Sequence, residues 1–198
     1  NAFVCINSRS ENNLKLAKKK LESDKLFSLT YDLKHSINHK ALISRANKIM
    51  KGIDILVCNL GDGRTVKNIG EESYRDWMGS VKINLLSTTN IVHNAKKYLK
   101  NSKSPAIVCI SSICGVSSSK APLDYSAFKS ALISFVKNQT HILSKDNIRI
   151  NIISPGNIYS EDGRWPIKFK MNKKLKKELI KNIPMKRLGS TTEISNAE

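Results

Sequence analysis

Tyr125 and Lys129 stand four residues apart in Tyr125-Ser126-Ala127-Phe128-Lys129, a spacing that places both on one face of a helix. A nearby ammonium favours the phenolate, so the pair predicts a tyrosine drawn below its usual pKa of about 10. Such a group exchanges protons near neutral pH. Just upstream, Ser111-Ser112-Ile113-Cys114-Gly115 closes an apolar run, and a serine hydroxyl there can hydrogen-bond the same reacting oxygen. Lys and Arg make up 34 of 198 residues, so about one tyrosine in six has a base four places on by composition alone. The spacing needs support from the order of elements around it.

That order is regular. Ala106-Ile107-Val108-Cys109-Ile110 reads as a buried parallel strand. A helical pattern follows from Tyr125 to about Ser144, with Phe128, Leu132, Phe135 and Val136 on one stripe. The strand Ile148–Ile153 then ends in Ser154-Pro155-Gly156. Upstream, Ala2–Ile6 and Leu26–Leu29 read as strands, separated by a helix that Ser10 caps and that Leu14, Ala17 and Leu21 stripe. A helix over Ile37–Met50 leads to the strand Ile53–Cys58, which ends in Asn59-Leu60-Gly61. A loop through Gly63 and Gly70 precedes a long helical pattern over Tyr74–Lys100. Strands alternating with helices predict an α/β fold, a doubly wound parallel sheet flanked by helices. Ligands bind such sheets at the C-terminal ends of the strands, where every motif above lies.

Composition narrows the classes. A mean hydropathy of -0.33 and 40% hydrophobic residues suit a soluble domain, and no apolar run approaches the ~18–20 residues that span a bilayer. The net charge of +18 invites a nucleic-acid reading. Its clusters, Lys18-Lys19-Lys20 and Lys168 to Lys181, lack interleaved aromatics and read as solvated helix faces. An anionic cofactor or substrate is the more economical use of a few of these charges. Cys5, Cys58, Cys109 and Cys114 match neither a disulfide framework nor a zinc pattern, which favours a reducing, cytoplasmic setting and no metal. His35 and His39 read as surface residues, without a third ligand nearby.

The block from Ser111 to Gly156 resembles the short-chain dehydrogenase/reductase family, in particular its 3-oxoacyl-acyl-carrier-protein reductases, and the likeness extends over nearly the whole chain. The resemblance implies a Rossmann-like domain over 1–198 in which Tyr125 is the catalytic acid/base. Lys129 would tune Tyr125 and hold the nicotinamide ribose. The family's serine precedes its tyrosine by about thirteen positions, which selects Ser112 over Ser111. Asn84, in Val81-Lys82-Ile83-Asn84-Leu85, matches the asparagine that holds a water for a proton relay. For the cofactor, Asn59 and Gly61 match the family's Asn-Asn-Ala-Gly, although Cys58 and Leu60 depart from it. Asp32-Leu33 matches a pair that contacts adenine, and Pro155-Gly156 with Ile158 matches the segment lining the nicotinamide.

An acidic residue ending the family's second strand binds the ribose hydroxyls of NAD. Ser8 stands there instead, followed by Arg9, whose guanidinium can take a 2′-phosphate. This predicts NADP(H) in preference to NAD(H), the alternative being an ordinary exposed arginine before a helix. Residues 157–184 correspond to the segment that covers the substrate, with Trp165, Ile167, Phe169, Met171, Leu175 and Leu179 as an apolar lid. An amphipathic surface helix explains the same pattern. The family's first strand, its glycine-rich turn and first helix have no counterpart, nor does its last strand, so the sheet is expected to be incomplete and the chain a fragment of a longer protein. The expected activity is hydride transfer between NADP(H) and a small carbonyl or secondary-alcohol substrate, in a protein that assembles as a dimer or tetramer when complete. Neither nucleic acid nor a membrane is an expected partner. The rival is a non-catalytic dinucleotide-binding or regulatory module on the same fold.

Overall fold

A computed structural model describes residues 2–63, 68–118 and 121–197. Three parallel strands, β3 (Ile55–Cys58), β4 (Ala106–Ile110) and β5 (Arg149–Ile153), pair in the order β3-β4-β5. Two more, β1 (Val4–Ser8) and β2 (Leu26–Thr30), form a separate parallel pair. Among the described residues no strand joins β1 to β3. Val4, Ile55 and Val57 on these two strands are exposed. The expected α/β class is present, with the sheet in two pieces. The expected loop through Gly63 and Gly70 includes residues 64–67, which lie outside the described residues.

The helices lie where hydrophobic period and caps place them. In α1 (Glu11–Leu21), the hydroxyl of Ser10 accepts the Asn13 N–H, as its N-cap position predicts. Helix α2 (Ser36–Met50) packs against α4 (Ser87–Leu99), burying Leu42, Ile43 and Ala46 beside Ile91, Val92 and Ala95. The expected single helix over 74–100 is instead α3 (Tyr74–Val81), a π-helical turn (Lys82–Leu86) and α4. Helix α5 (Leu123–Leu143) lies against β5, with Leu132, Val136 and Leu143 in the core. The centre of that core is β4, whose Ile107 and Cys109 are fully buried.

The cysteines are free, and Cys58 and Cys109 face each other in register across β3 and β4. A hydrogen bond from Cys109 and burial together push the Cys58 thiol well above its usual pKa. His39, expected at the surface, is buried: its Nε2 lies 2.8 Å from the Leu33 carbonyl oxygen.

Beyond β5 the chain forms β6 (Ile158–Tyr159), α6 (Arg164–Met171), α7 (Lys173–Lys181), β7 (Gly189–Ser190) and α8 (Thr191–Ser195). A Cβ at Gly189 would come 2.6 Å from Ile158 Cδ1, so glycine lets β7 pair with β6. The Arg187 guanidinium donates both ways to Glu193 and holds its carboxyl down to about 2, while Glu193 and Ser190 form the capping box of α8. Among the described residues no helix is long and apolar enough to cross a membrane.

Candidate active site

The C-terminal end of β4 turns sharply through a 3₁₀ turn at Ile113–Gly115. Ser111 N–H donates to the Ile153 carbonyl and Ile113 N–H to the Pro155 carbonyl, which extends the β4–β5 ladder into the loop. A Cβ at Gly115 would meet the Lys129 carbonyl carbon at 2.6 Å and the Ser130 nitrogen at 2.7 Å. Glycine is therefore what seats the turn on the backbone of α5. The two serines diverge. The Ser111 hydroxyl is buried and donates to the Lys129 carbonyl oxygen at 2.8 Å, a structural tie. The Ser112 hydroxyl accepts the Cys114 N–H at 3.2 Å and draws the Tyr125 phenol's pKa down.

Tyr125 and Lys129 occupy the first turns of α5. Pro122, at the N-cap, supplies no side-chain acceptor. Glu72, fifty-one positions earlier, accepts the Leu123 N–H instead at 2.9 Å. A carboxylate at this end also complements the helix dipole. Trp77 of α3 meets Phe128 edge-on at 5.6 Å between centroids, which holds α3 against the same helix.

The Lys129 ammonium is buried and donates to the carbonyl oxygens of Leu60 and Ile110, each at 2.8 Å. It thereby stitches together the C-terminal ends of β3 and β4. Burial lowers its pKa to about 8. The ammonium lies 5.8 Å from the centre of the Tyr125 ring. The expectation that Lys129 draws Tyr125 down is corrected here, because the phenol is pushed above its usual value. Desolvation is the main cause; Ser112 and the Arg164 guanidinium offset part of it. The lysine's protons point at two backbone oxygens and not at the phenol.

Asn84 sits on the π-helical turn and is fully buried, a setting in which π-turns often serve functional sites. Its Oδ1 accepts the Asp62 N–H at 2.9 Å, and its Nδ2 donates to the Asp62 carbonyl and to Ser80 Oγ, each at 2.9 Å. The amide thus clamps the loop after β3 and spends its side-chain hydrogen bonds there, where the family resemblance implied a held water. A Cβ at Gly61 would come 2.9 Å from Lys129 Nζ and 3.1 Å from Asn84 Oδ1. The loop passes between the two side chains because Gly61 carries none. A Cβ added at Gly63 would come 3.5 Å from the Tyr125 ring, an ordinary contact distance.

Asn84, Ser112, Tyr125 and Lys129 therefore converge with Gly61 and Pro155 around one end of the β3-β4-β5 sheet. Asn59 and Gly156 are exposed near the same end. Ile158 pairs with Gly189 in β6. The remaining candidates lie on the β1–β2 pair. Ser8 Oγ accepts the Ser10 N–H at 3.2 Å, and Arg9 is exposed without an ion pair among the described residues. Asp32 Oδ1 accepts the Lys34 N–H at 3.0 Å. Leu33 was matched to an adenine contact, but its side chain is buried in the core. Its carbonyl accepts from Ser87 Oγ at 2.6 Å, tying the loop after β2 to α4.

Two residues at this site carry no sequence signal of their own. Arg164 Nη2 bonds Asp62 Oδ1 at 2.8 Å, so the first residue of α6 is tied to the loop beside Tyr125. Lys20 holds Asp162 at 2.6 Å from the other side. Asp62 stands between two glycines, and its partner lies 102 positions away. The expected apolar lid is only partly formed: Trp165 and Phe169 stack at 5.4 Å, while Ile167 and Met171 face solvent.

Known proteins are similar to this chain. The family described as enoyl-(acyl carrier protein) reductase matches residues 2–198. Isoepoxydon dehydrogenase patN of Penicillium expansum is 31% identical over 145 residues, 73% of this chain and 54% of that protein. The 3-oxoacyl-[acyl-carrier-protein] reductase FabG of Chlamydia trachomatis is 32% identical over 145 residues, 73% of this chain and 56% of the relative. The chain thus spans somewhat over half the length of such relatives. Among solved structures, ElxO with NADP bound superposes with a TM-score of 0.89 at 24% identity, covering 98% of this chain and 79% of that one, which shows the shared fold. A family match over nearly every residue, together with the strand, serine turn and Tyr-x-x-x-Lys helix in one constellation, places this chain in the short-chain dehydrogenase/reductase family, among proteins similar to 3-oxoacyl-[acyl-carrier-protein] reductases.

Proposed function

We propose that the protein is an NADP(H)-dependent oxidoreductase that interconverts a small carbonyl compound and its secondary alcohol. The observation that carries this reading is the convergence of Ser112, Tyr125 and Lys129 at one strand end, with the Lys129 ammonium 5.8 Å from the centre of the Tyr125 ring. A purely structural role gives no reason for a phenol, a hydroxyl and a buried ammonium to meet beside an open loop. When bound, a nicotinamide cofactor supplies or accepts the hydride.

The chain's own groups do the rest. Tyr125 gives a proton to the substrate oxygen during reduction and takes it back during oxidation. A phenol held above its usual pKa is protonated at neutral pH, which suits it to the donating role. Ser112 orients the substrate oxygen and polarises it. Lys129, anchored on Leu60 and Ile110, positions the first turns of α5 and places a positive charge beneath the tyrosine ring. Asn84 is a positioning residue that fixes the Asp62 loop.

The residues present fit the cofactor. Gly61 keeps the strand end open where a Cβ would press on Lys129 and Asn84. Arg9 is exposed beside the uncharged Ser8, so a 2′-phosphate would meet a guanidinium and no carboxylate. Ser8, Arg9 and Asp32 would hold the adenosine end, and Asn59, Gly61, Lys129, Pro155, Gly156 and Ile158 the nicotinamide end. The NADP-bound neighbour ElxO accords with this choice, and xylitol dehydrogenase, solved with NAD+, marks the alternative. Assembly through a dimer or tetramer is part of the proposal.

The test is to follow NADPH and NADH oxidation across a panel of ketones and 3-oxoacyl thioesters. NADPH is expected to be preferred, and Arg9→Ala to weaken NADPH binding about tenfold with little effect on NADH. Equal use of the two cofactors by the natural protein would overturn the NADP(H) assignment. NADPH binding without turnover on any carbonyl would favour a non-catalytic dinucleotide module.

A further inference from the structure

Helix α6 carries apolar side chains on two opposite faces. Trp165 and Phe169, four apart, stack on each other and are half-buried. Ile167 and Met171, also four apart, lie about 200° further round the helix and are 61% and 83% exposed. A helix that only covers a core shows one apolar stripe and a polar outer face. The second stripe needs another explanation.

Basic side chains surround it. Residues 164–187 hold ten Lys and Arg against the single carboxylate of Glu178, a net +9 of the chain's +18 within 24 residues. Both arginines are committed, Arg164 to Asp62 and Arg187 to Glu193. The eight lysines are exposed, and none forms an ion pair among the described residues. On α7 the half-buried Leu175 and Leu179 leave the opposite face to Lys173, Lys177 and Lys181.

Composition decides what such a face fits. Protein interfaces are depleted in lysine and anchored by arginine, tyrosine and tryptophan. Single-stranded nucleic acid needs exposed rings to stack on. Here the arginines are paired and the two rings of α6 are half-buried. An anionic lipid surface asks for neither. Its potential attracts clustered lysines, and apolar side chains standing among them enter the headgroup boundary. Such a segment lies on a bilayer and needs no spanning helix.

We propose that the outer face of α6 and α7 docks on an anionic lipid bilayer, with Ile167 and Met171 entering the headgroup region and the lysines of α7 against the lipid phosphates. The assignment does not rest on the oxidoreductase reading.

The test is cosedimentation with vesicles of phosphatidylcholine, alone or with about a third phosphatidylserine, in about 0.15 M salt. The mixed vesicles are expected to bind about tenfold or more tighter than the neutral ones. Ile167→Ser/Met171→Ser is expected to weaken that binding about fivefold. Lys173→Gln/Lys174→Gln/Lys176→Gln/Lys177→Gln is expected to weaken it about thirtyfold. As a control, Lys18→Gln/Lys19→Gln/Lys48→Gln/Lys51→Gln removes the same charge elsewhere and is expected to stay within about twofold. Every substituted side chain is exposed, so the fold is expected to persist in all three variants. Three results would overturn the proposal. No preference for the anionic vesicles would remove the lipid surface as partner. An equal loss in the control would reduce the effect to net charge. Unchanged binding of the serine variant would leave a contact of charge alone, as an acidic protein would make.

Discussion

The floor of the candidate active site and the segment outside it are built on opposite plans. In the floor, β4, the Ile113–Gly115 turn, α5 and the π-helical turn bury several polar groups and tie them to partners elsewhere in the chain: Ser111 to Lys129, Lys129 to Leu60 and Ile110, Asn84 to Asp62. From Asn157 to Ala197, by contrast, no residue is buried. That segment is joined to the floor's side by single exposed ion pairs, Arg164 to Asp62 and Lys20 to Asp162. The difference separates two tasks. Chemistry at one oxygen atom needs groups fixed to fractions of an ångström. Choosing among substrates is served by a surface that can change without disturbing them.

Substitutions can break or sharpen this contrast. The largest stability effect is expected at Gly115, where a methyl would strike helix backbone that cannot yield. Gly115→Ala is expected to cost about 3 kcal/mol or more. Gly156→Ala, where a Cβ meets nothing within 4 Å, is expected to change stability by less than about 0.5 kcal/mol. Urea unfolding of the two variants makes the comparison, and equal losses would erase the distinction.

Next comes the buried lysine. Unfolded, Lys129 keeps its proton up to 10.5; folded, only up to about 8. Between those values unfolding takes up a proton, so stability rises with pH there, by up to about 3 kcal/mol in total. Lys129→Met removes this rise, although it leaves the Leu60 and Ile110 carbonyls without their donor at every pH. Unfolding midpoints measured from pH 8 to 10.5 are expected to climb more steeply for the natural protein; parallel slopes would contradict the buried placement.

The smallest effect on stability belongs to the outer segment. Arg164→Met removes an exposed ion pair and is expected to shift unfolding by less than about 1 kcal/mol. Because Arg164 acts beside Tyr125, the same change is expected to raise KM for the carbonyl a few-fold with kcat little altered. A loss confined to kcat would instead place Arg164 in the floor.

The sequence made the strands and the reactive residues legible and left their support hidden. Ala106–Ile110 is recognisable because a strand buried on both faces must be apolar throughout. Ser10 announces α1 because an N-cap hydroxyl is a local device. The break in the long helix at Lys82–Leu86 has no such mark. The apolar period runs on across it, and Asn84 meets Asp62 and Ser80 only in the folded chain. Likewise the start of α5 is capped by Glu72, and the direction of Lys129 is set by two carbonyls, one just after β3 and one at the end of β4. The misjudged Tyr125 follows from the same gap: a four-residue spacing shows that two side chains share a face, and burial decides which way the phenol shifts.

The most direct test of the central claim is turnover and NADPH affinity measured together in Tyr125→Phe. The variant removes one hydroxyl and keeps the aromatic ring beside Lys129. Carbonyl reduction is expected to fall about a thousand-fold, with the NADPH dissociation constant within about threefold of the natural protein's. Undiminished turnover would contradict the assignment of Tyr125 as the proton donor, and a loss of turnover matched by an equal loss of cofactor affinity would assign the tyrosine to binding alone.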